Sequence, residues 1–88
     1  MVEKTLTIEN KTGIHARPAS IFVQTAGQFN SVITIKANGK SADAKSILKI
    51  MSMQLSKGTE VLIQADGMDE SDAVESLARI IKTNFGDE

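Results

Sequence analysis

The chain has 88 residues, of which 41% are hydrophobic and 24% are charged, with a formal net charge of -1 and no cysteine. This length predicts one small domain over residues 1–88 with a single modest core. The near-neutral charge argues against direct nucleic-acid binding, and zero cysteines with one histidine exclude disulfides, thiolate sites and imidazole-rich metal clusters, so we expect no metal and no other cofactor. No stretch is typical of a signal peptide or a membrane span, so we expect a cytoplasmic protein without membrane insertion.

The first predicted element is a strand over residues 2–8, because polar and apolar side chains alternate there. Val2, Leu6 and Ile8 share one side, and threonine and glutamate side chains occupy the other. Lys4 interrupts the otherwise apolar side with a charge. The alternation predicts a strand with one face in solvent.

A loop over residues 10–13 leads into the first predicted helix. Pro18 lacks a backbone N–H and fits only the first turn of a helix, so this helix must begin near residue 16. Gly27 marks its end. Its apolar stripe consists of Ala19, Phe22, Val23 and Ala26.

A β-hairpin and a short helix follow in the middle of the chain. Residues 32–36 are rich in β-branched side chains, Asn38-Gly39 is typical of a type I′ turn, and residues 40–44 form a short return strand. Ser46 is a good N-cap for a brief second helix. The apolar residues that share one face of this helix are Ile47, Ile50 and Met51.

The last predicted elements are a strand over residues 59–65 and a helix that Asp69 caps and Asp72 strengthens at its start. The buried stripe of this helix consists of Val74, Leu77, Ala78, Ile81 and Phe85. The order of elements is therefore βαββαβα. Because each strand has one polar face, we expect an α+β open-faced β-sandwich, in which a four-stranded antiparallel sheet carries three helices on one face.

The only histidine, His15, and the only proline, Pro18, flank Arg17 at the predicted start of the first helix. The first turn of a helix carries partial positive charge and N–H groups without intrahelical partners, so it attracts anions. The same field disfavours an imidazolium, which keeps the His15 ring neutral and nucleophilic. Arg17 can bind phosphate oxygens with its guanidinium. By position alone, however, a capping histidine and a solvated arginine are the commoner arrangement.

The motif GIHARPA, from Gly13 to Ala19, and the later Lys45-Ser46-Ile47 resemble the histidine-containing phosphocarrier protein, HPr, of the bacterial phosphoenolpyruvate:sugar phosphotransferase system. This resemblance runs nearly end to end and implies the same open-faced fold. It implies that His15 accepts a phosphoryl group on Nδ1 from phosphorylated enzyme I and passes it to sugar-specific enzyme IIA components. The chain would then be a phosphoryl-group carrier rather than a stand-alone enzyme.

The resemblance also implies which residues support the phosphate and which bind partners. Thr12 and the N–H groups of Ala16 and Arg17 would support the phosphoryl group, and Arg17 would assist its transfer. The residues expected to dock enzyme I are Ala16, Ser20 and Gln24 on the first helix and Ile47, Leu48 and Met51 on the second. Leu48 lies off the apolar stripe of the second helix and is the better docking candidate, whereas Ile50 is expected in the core. We expect a monomer.

Ser46 has a second predicted role beside capping. In HPr proteins of the low-GC Gram-positive type, the corresponding serine is phosphorylated by HPr kinase/phosphorylase, and the product is a corepressor for a catabolite-control transcription factor. Those proteins commonly have methionine and glycine where this chain has Leu48 and Lys49, and a lysine there is typical of the enteric form, which lacks this control. The sequence leaves regulation at Ser46 open.

A different class of function also fits this fold, namely a regulatory binding module that acts as a corepressor in catabolite control. The HPr-like catabolite-repression proteins in that class lack the histidine. The presence of His15 therefore favours the phosphocarrier.

Overall fold

The structure is a computed structural model, and it describes residues 1–9, 13–14 and 16–83. The order βαββαβα is confirmed, and the strand boundaries lie within one residue of those predicted. The elements are β1 (Val2–Thr7), α1 (Ala16–Ala26), β2 (Val32–Ala37), β3 (Lys40–Asp43), α2 (Ile47–Ser52), β4 (Glu60–Asp66) and α3 (Glu70–Lys82).

The four strands form one antiparallel sheet in the order β1-β4-β2-β3. The last strand in the sequence, β4, therefore lies between β1 and β2. Ile63 at its centre is paired with Lys4 on one side and Ile35 on the other. The N-terminal and C-terminal parts of the chain are thus joined in a single ladder of backbone hydrogen bonds.

Only one face of this sheet is buried. In β2 and β4 the inward residues Ile35, Val61 and Ile63 have no exposed surface, whereas Val32 and Lys36 on the opposite face of β2 are exposed. The side chains that cover the buried face from the three helices are also fully buried, namely Phe22, Ile50 and Leu77. Burial of each large apolar side chain stabilises the fold by about 1.5–3 kcal/mol. The predicted open-faced β-sandwich is therefore confirmed.

The turn between β2 and β3 has the predicted geometry. Asn38 and Gly39 have φ angles of 54° and 75°, as a type I′ turn requires at both central positions. The backbone twist of such a turn matches the twist of the strands that it joins. The Asn-Gly pair is therefore the local cause of this hairpin.

Asp69 precedes α3 as predicted, but its side chain does not cap that helix. The carboxylate instead accepts hydrogen bonds from the backbone N–H of Asn30 at 2.8 Å, from the backbone N–H of Ser31 at 3.0 Å, and from the Ser31 hydroxyl. Ser31 is 1% exposed, so its polar groups need partners within the protein. The predicted side-chain cap is wrong because Asn30 and the buried Ser31, in the loop between α1 and β2, engage this carboxylate.

Two of the predicted apolar stripes also differ in detail. In α1, Val23 is only half-buried, and Pro18 is buried in addition to the predicted residues. In α2, Ile50 alone is buried, and Met51 is 39% exposed, because this helix of six residues contacts the core through little more than one side chain. Phe85 of the predicted α3 stripe lies outside the described residues.

Candidate functional site

The predicted phosphoryl site lies at the N-terminus of α1, which begins at Ala16, the residue that follows His15 in the sequence. Ala16 and Arg17 are exposed, and Pro18 is buried. Thr12 and His15 lie outside the described residues, so their assigned roles stay predictions. The described part of the site therefore consists of two exposed residues, Ala16 and Arg17, followed by the buried Pro18, which packs the helix start onto the protein.

Electrostatics at this helix end favour an anion. The aligned peptide dipoles give the N-terminus partial positive charge, and the first turn of α1 contains no acidic side chain that would offset it. Arg17 adds a formal positive charge in the same turn. Pro18 costs the turn nothing, because the N–H that it lacks has no partner within a helix. The N-terminus of α1 therefore carries net positive charge, and Pro18 is accommodated in its first turn without disrupting the helix.

The residues before His15 are held against the segment that follows α2. Gly13 has a φ of 66°, and a Cβ atom at this position would lie 2.5 Å from the carbonyl oxygen of Leu55. Ile14 donates a backbone hydrogen bond of 2.7 Å to the same oxygen, and its side chain is 6% exposed. Only glycine suits position 13, because a side chain would be strained there and would collide with the backbone. No sequence pattern points to Leu55 as a support of the site, and Gly13 at the start of the motif is the one local signal.

Ser46 caps α2 as predicted. Its φ and ψ are -113° and 109°, and its Oγ atom accepts a hydrogen bond from the N–H of Lys49 at 3.5 Å. The Ser46 side chain is half-buried. Nearby, the ammonium group of Lys45 donates a 2.7 Å hydrogen bond to the carbonyl oxygen of Phe29, which joins this turn to the loop that follows α1.

The predicted docking residues lie on two helices that contact each other, α1 and α2. On α1, Ala16 and Gln24 are exposed and Ser20 is half-buried; these positions follow each other at intervals of four and share one side of the helix. On α2, Leu48 is 78% exposed and Ile47 is half-buried. The exposure of Leu48 agrees with the expectation that separated it from the core residue Ile50. That these residues bind a partner stays a prediction.

Perturbed carboxyl groups lie at α3 rather than in the α1 turn. Hydrogen bonds from the Ser31 hydroxyl and the Asn30 N–H hold the pKa of Asp69 below its ordinary value. The pKa of Glu70 is also lowered, first by the hydrogen bond from the N–H of Gly67 and then by the N-terminal ammonium group. Among the described positions no three acidic, histidine or cysteine side chains are placed to hold a metal ion.

A family model described as the PTS HPr component phosphorylation site matches residues 2–83. The chain belongs to the PTS-HPr family. It is 44% identical over 82 residues to the HPr-like protein Crh of Bacillus subtilis (strain 168), an alignment that covers 93% of this chain and 96% of that protein. The crystal structure of HPr-C-His from Thermoanaerobacter tengcongensis has a TM-score of 0.96 and 48% identity, and covers 100% of this chain and 99% of its own.

A third relative is a dimer. The crystal structure of the HPr dimer from Thermoanaerobacter tengcongensis has a TM-score of 0.79 and 47% identity, and covers 99% of this chain and 100% of its own. The expected monomer therefore stays a prediction for this chain. Within the part of the chain that the structure describes, no helix has the length and hydropathy needed to cross a membrane. At the level that these matches establish, the chain is an HPr-family phosphocarrier.

Proposed function

We propose that this chain carries a phosphoryl group on His15 from phosphorylated enzyme I to sugar-specific enzyme IIA components during phosphoenolpyruvate-dependent sugar uptake. The observation that carries the proposal is the match to a family model described as a phosphorylation site, which spans the chain's single histidine. The exposed, positively charged start of α1, directly after that residue in the sequence, supports it.

The proposed relay consists of two balanced transfers. In the first, a ring nitrogen of His15, assigned as Nδ1 by resemblance to the family, forms a bond to phosphorus as the bond to the donor on enzyme I breaks. In the second, the phosphorus–nitrogen bond breaks as the acceptor on enzyme IIA takes the group. Negative charge spreads over the phosphoryl oxygens during each transfer. The Arg17 guanidinium and the dipole of α1 would stabilise that charge.

Mass spectrometry with purified partners tests this proposal directly. The intact protein is incubated with enzyme I and phosphoenolpyruvate, and we expect one added phosphoryl group that acid removes and alkali leaves in place, as for a phosphoramidate. His15→Ala should accept none, and Ser46→Ala, which retains the histidine, should accept it normally. An adduct of unchanged yield in His15→Ala, or only an acid-stable adduct, would contradict the relay.

A second function is supported by the 44% identity to the HPr-like protein Crh. We propose as the alternative that the chain is a regulatory module, phosphorylated on Ser46 and bound by a catabolite-control transcription factor. Labelling with ATP and HPr kinase/phosphorylase separates the two functions. Label on Ser46 that is lost in Ser46→Ala, together with no transfer to His15, would favour the regulatory module. Transfer to His15 without label on Ser46 would support the relay and exclude the regulatory module.

A further inference from the structure

A second positively charged site lies away from the start of α1, between β1 and α3. Three cationic side chains, those of Lys4, Arg79 and Lys82, line a surface cavity of about 230 Å³ together with Glu75 and Ala78. The α3 residues of this set are spaced by three and four positions, so they lie on one side of the helix. Lys4 reaches the same cavity from the neighbouring edge strand.

Within the described part of the chain, none of these three cations forms an ion pair. Among the described residues the single ion pair joins the amino group of Met1 to Glu70 at 3.3 Å, so none of the three pairs with a carboxylate. Glu75 and Arg79 are spaced for an ion pair within the helix, yet that pair is not formed.

The helix dipole accounts for part of this cluster only. Arg79 and Lys82 belong to the last turn of α3, where positive charge is stabilising. That argument does not apply to Lys4, which lies on the side of β1 that otherwise buries Leu6. Because β1 is an edge strand, this exposed lysine reaches the helix end without being buried.

We propose that this cavity binds a small phosphate monoester that carries a hydroxyl group. Three cations and one carboxylate leave a net charge of about two positive units, which matches the charge of a phosphate monoester near pH 7. Arg79 can bind two phosphate oxygens at once, while Lys4 and Lys82 contribute point charges. The Glu75 carboxylate only accepts hydrogen bonds, so it favours a phosphate monoester whose organic part carries a hydroxyl group that can donate one. The cavity is open to solvent and its volume lies below the usual 300–1,000 Å³ of ligand sites, so it suits a small ligand.

Amide chemical shifts recorded during titration test this site on the intact protein. Sodium glycerol 3-phosphate, inorganic phosphate and sodium chloride are added at matched ionic strength near pH 7.5. We expect saturable shifts around Lys4 and along residues 75–82 with glycerol 3-phosphate, weaker saturable shifts with inorganic phosphate, and no saturation with chloride. Lys4→Gln and Arg79→Gln should each weaken binding roughly two- to fivefold, as expected for the loss of one exposed charged contact.

Two further variants complete the test. Lys36→Gln removes an exposed lysine from the opposite face of the sheet and should bind glycerol 3-phosphate as tightly as the wild type. Glu75→Ala should abolish the preference for glycerol 3-phosphate over inorganic phosphate. Shifts that do not saturate, or affinities that Lys4→Gln and Lys36→Gln lower equally, would overturn the site. Equal affinity of the wild type for the two phosphates would overturn the hydroxyl-bearing ligand.

Discussion

Arg17 is exposed in the first turn of α1, beside the buried Pro18. Its substitution should therefore affect transfer more than folding. We expect Arg17→Ala to change the free energy of unfolding by about 0.5 kcal/mol or less, as substitutions of exposed residues usually do. Transfer from enzyme I should slow about 10- to 100-fold, because a hydrogen bond to a charged group is lost from the transition state. Stopped-flow or quench-flow transfer kinetics beside thermal melting measures both effects.

The matched control for this prediction is Arg79→Ala, which removes the other arginine of the chain from an exposed position in α3. It should leave transfer from enzyme I unchanged. Wild-type transfer kinetics in Arg17→Ala would reduce Arg17 to an ordinary surface residue.

Ser46 allows capping and docking to be separated at one position. Ser46→Ala removes the acceptor for the Lys49 N–H and should destabilise the protein by about 0.5–2 kcal/mol. Ser46→Asp keeps an acceptor and adds negative charge at a helix start, so it should melt no lower than the wild type. The same charge beside Ile47 and Leu48 should raise the apparent KM for enzyme I, because an unmatched charge is costly to desolvate. A KM equal to that of the wild type would exclude inhibition of docking by charge at this position.

One sequence rule made a correct prediction at Ser46 and a wrong one at Asp69. Both residues are good N-caps placed before an amphipathic segment, and both precede a helix in the structure. Among the described residues only the Lys49 N–H bonds to the Ser46 hydroxyl, whereas Asp69 faces the backbone of Asn30 and Ser31. Those donors are 38 and 39 positions away in the chain, so no local pattern announces them. The sequence rule for N-caps therefore fails where donors from a distant part of the chain form hydrogen bonds with the capping side chain.

At the scale of elements, α2 carries two side chains with opposite environments. Leu48 is 78% exposed and Ile50 is fully buried. Leu48→Glu should weaken enzyme I binding at least tenfold, because it places a charge in an apolar contact, while the free energy of unfolding changes by about 0.5 kcal/mol or less. Titration calorimetry with enzyme I and thermal melting provide the two measurements.

Ile50→Ala is the control for this helix, because it should cost about 2–5 kcal/mol of stability through the cavity that it leaves in the core. Where the variant remains folded, it should bind enzyme I with affinity close to that of the wild type. Loss of stability in Leu48→Glu comparable to that in Ile50→Ala would place the docking surface elsewhere.

The elements themselves were predictable, but their arrangement in the sheet was not. Alternation in β4, the Asn38-Gly39 turn and the position of Pro18 are local signals, and each agrees with the structure. The order β1-β4-β2-β3 depends on pairing between the first and last strands, and residues such as Leu6 and Val61 carry no sequence mark that they face each other. The site shows the same division: the motif at α1 was visible, and the contact of Ile14 with Leu55 was not.

At the scale of the whole molecule, the Asp69 carboxylate ties the start of α3 to the loop between α1 and β2. It accepts hydrogen bonds from two backbone N–H groups and one hydroxyl, and these hold the pKa of Asp69 below its ordinary value of 3.8. A carboxyl group with a lowered pKa in the folded state stabilises that state fully above its unfolded pKa. The stabilisation is lost as the pH falls through the folded pKa, because the unfolded state binds the proton first. This tether therefore predicts a loss of stability in acid.

Asp69→Asn tests the tether, because the amide replaces one acceptor oxygen by an NH₂ group that faces the hydrogen-bond donors of Asn30 and Ser31. We expect the variant to melt lower than the wild type at pH 7, and the difference to narrow as the pH falls below 3.8 towards the folded pKa of Asp69. Glu70, whose pKa is lowered by the Gly67 N–H and then by the N-terminal ammonium group, remains in the variant, so part of the acid sensitivity should persist. Asp72→Asn removes a carboxylate from the exposed side of the same helical turn and should lower the melting temperature at pH 7 much less. Melting curves of the three proteins from pH 2 to pH 7 decide the matter: a constant difference between wild type and Asp69→Asn would mean that the carboxylate charge does not hold this loop to α3.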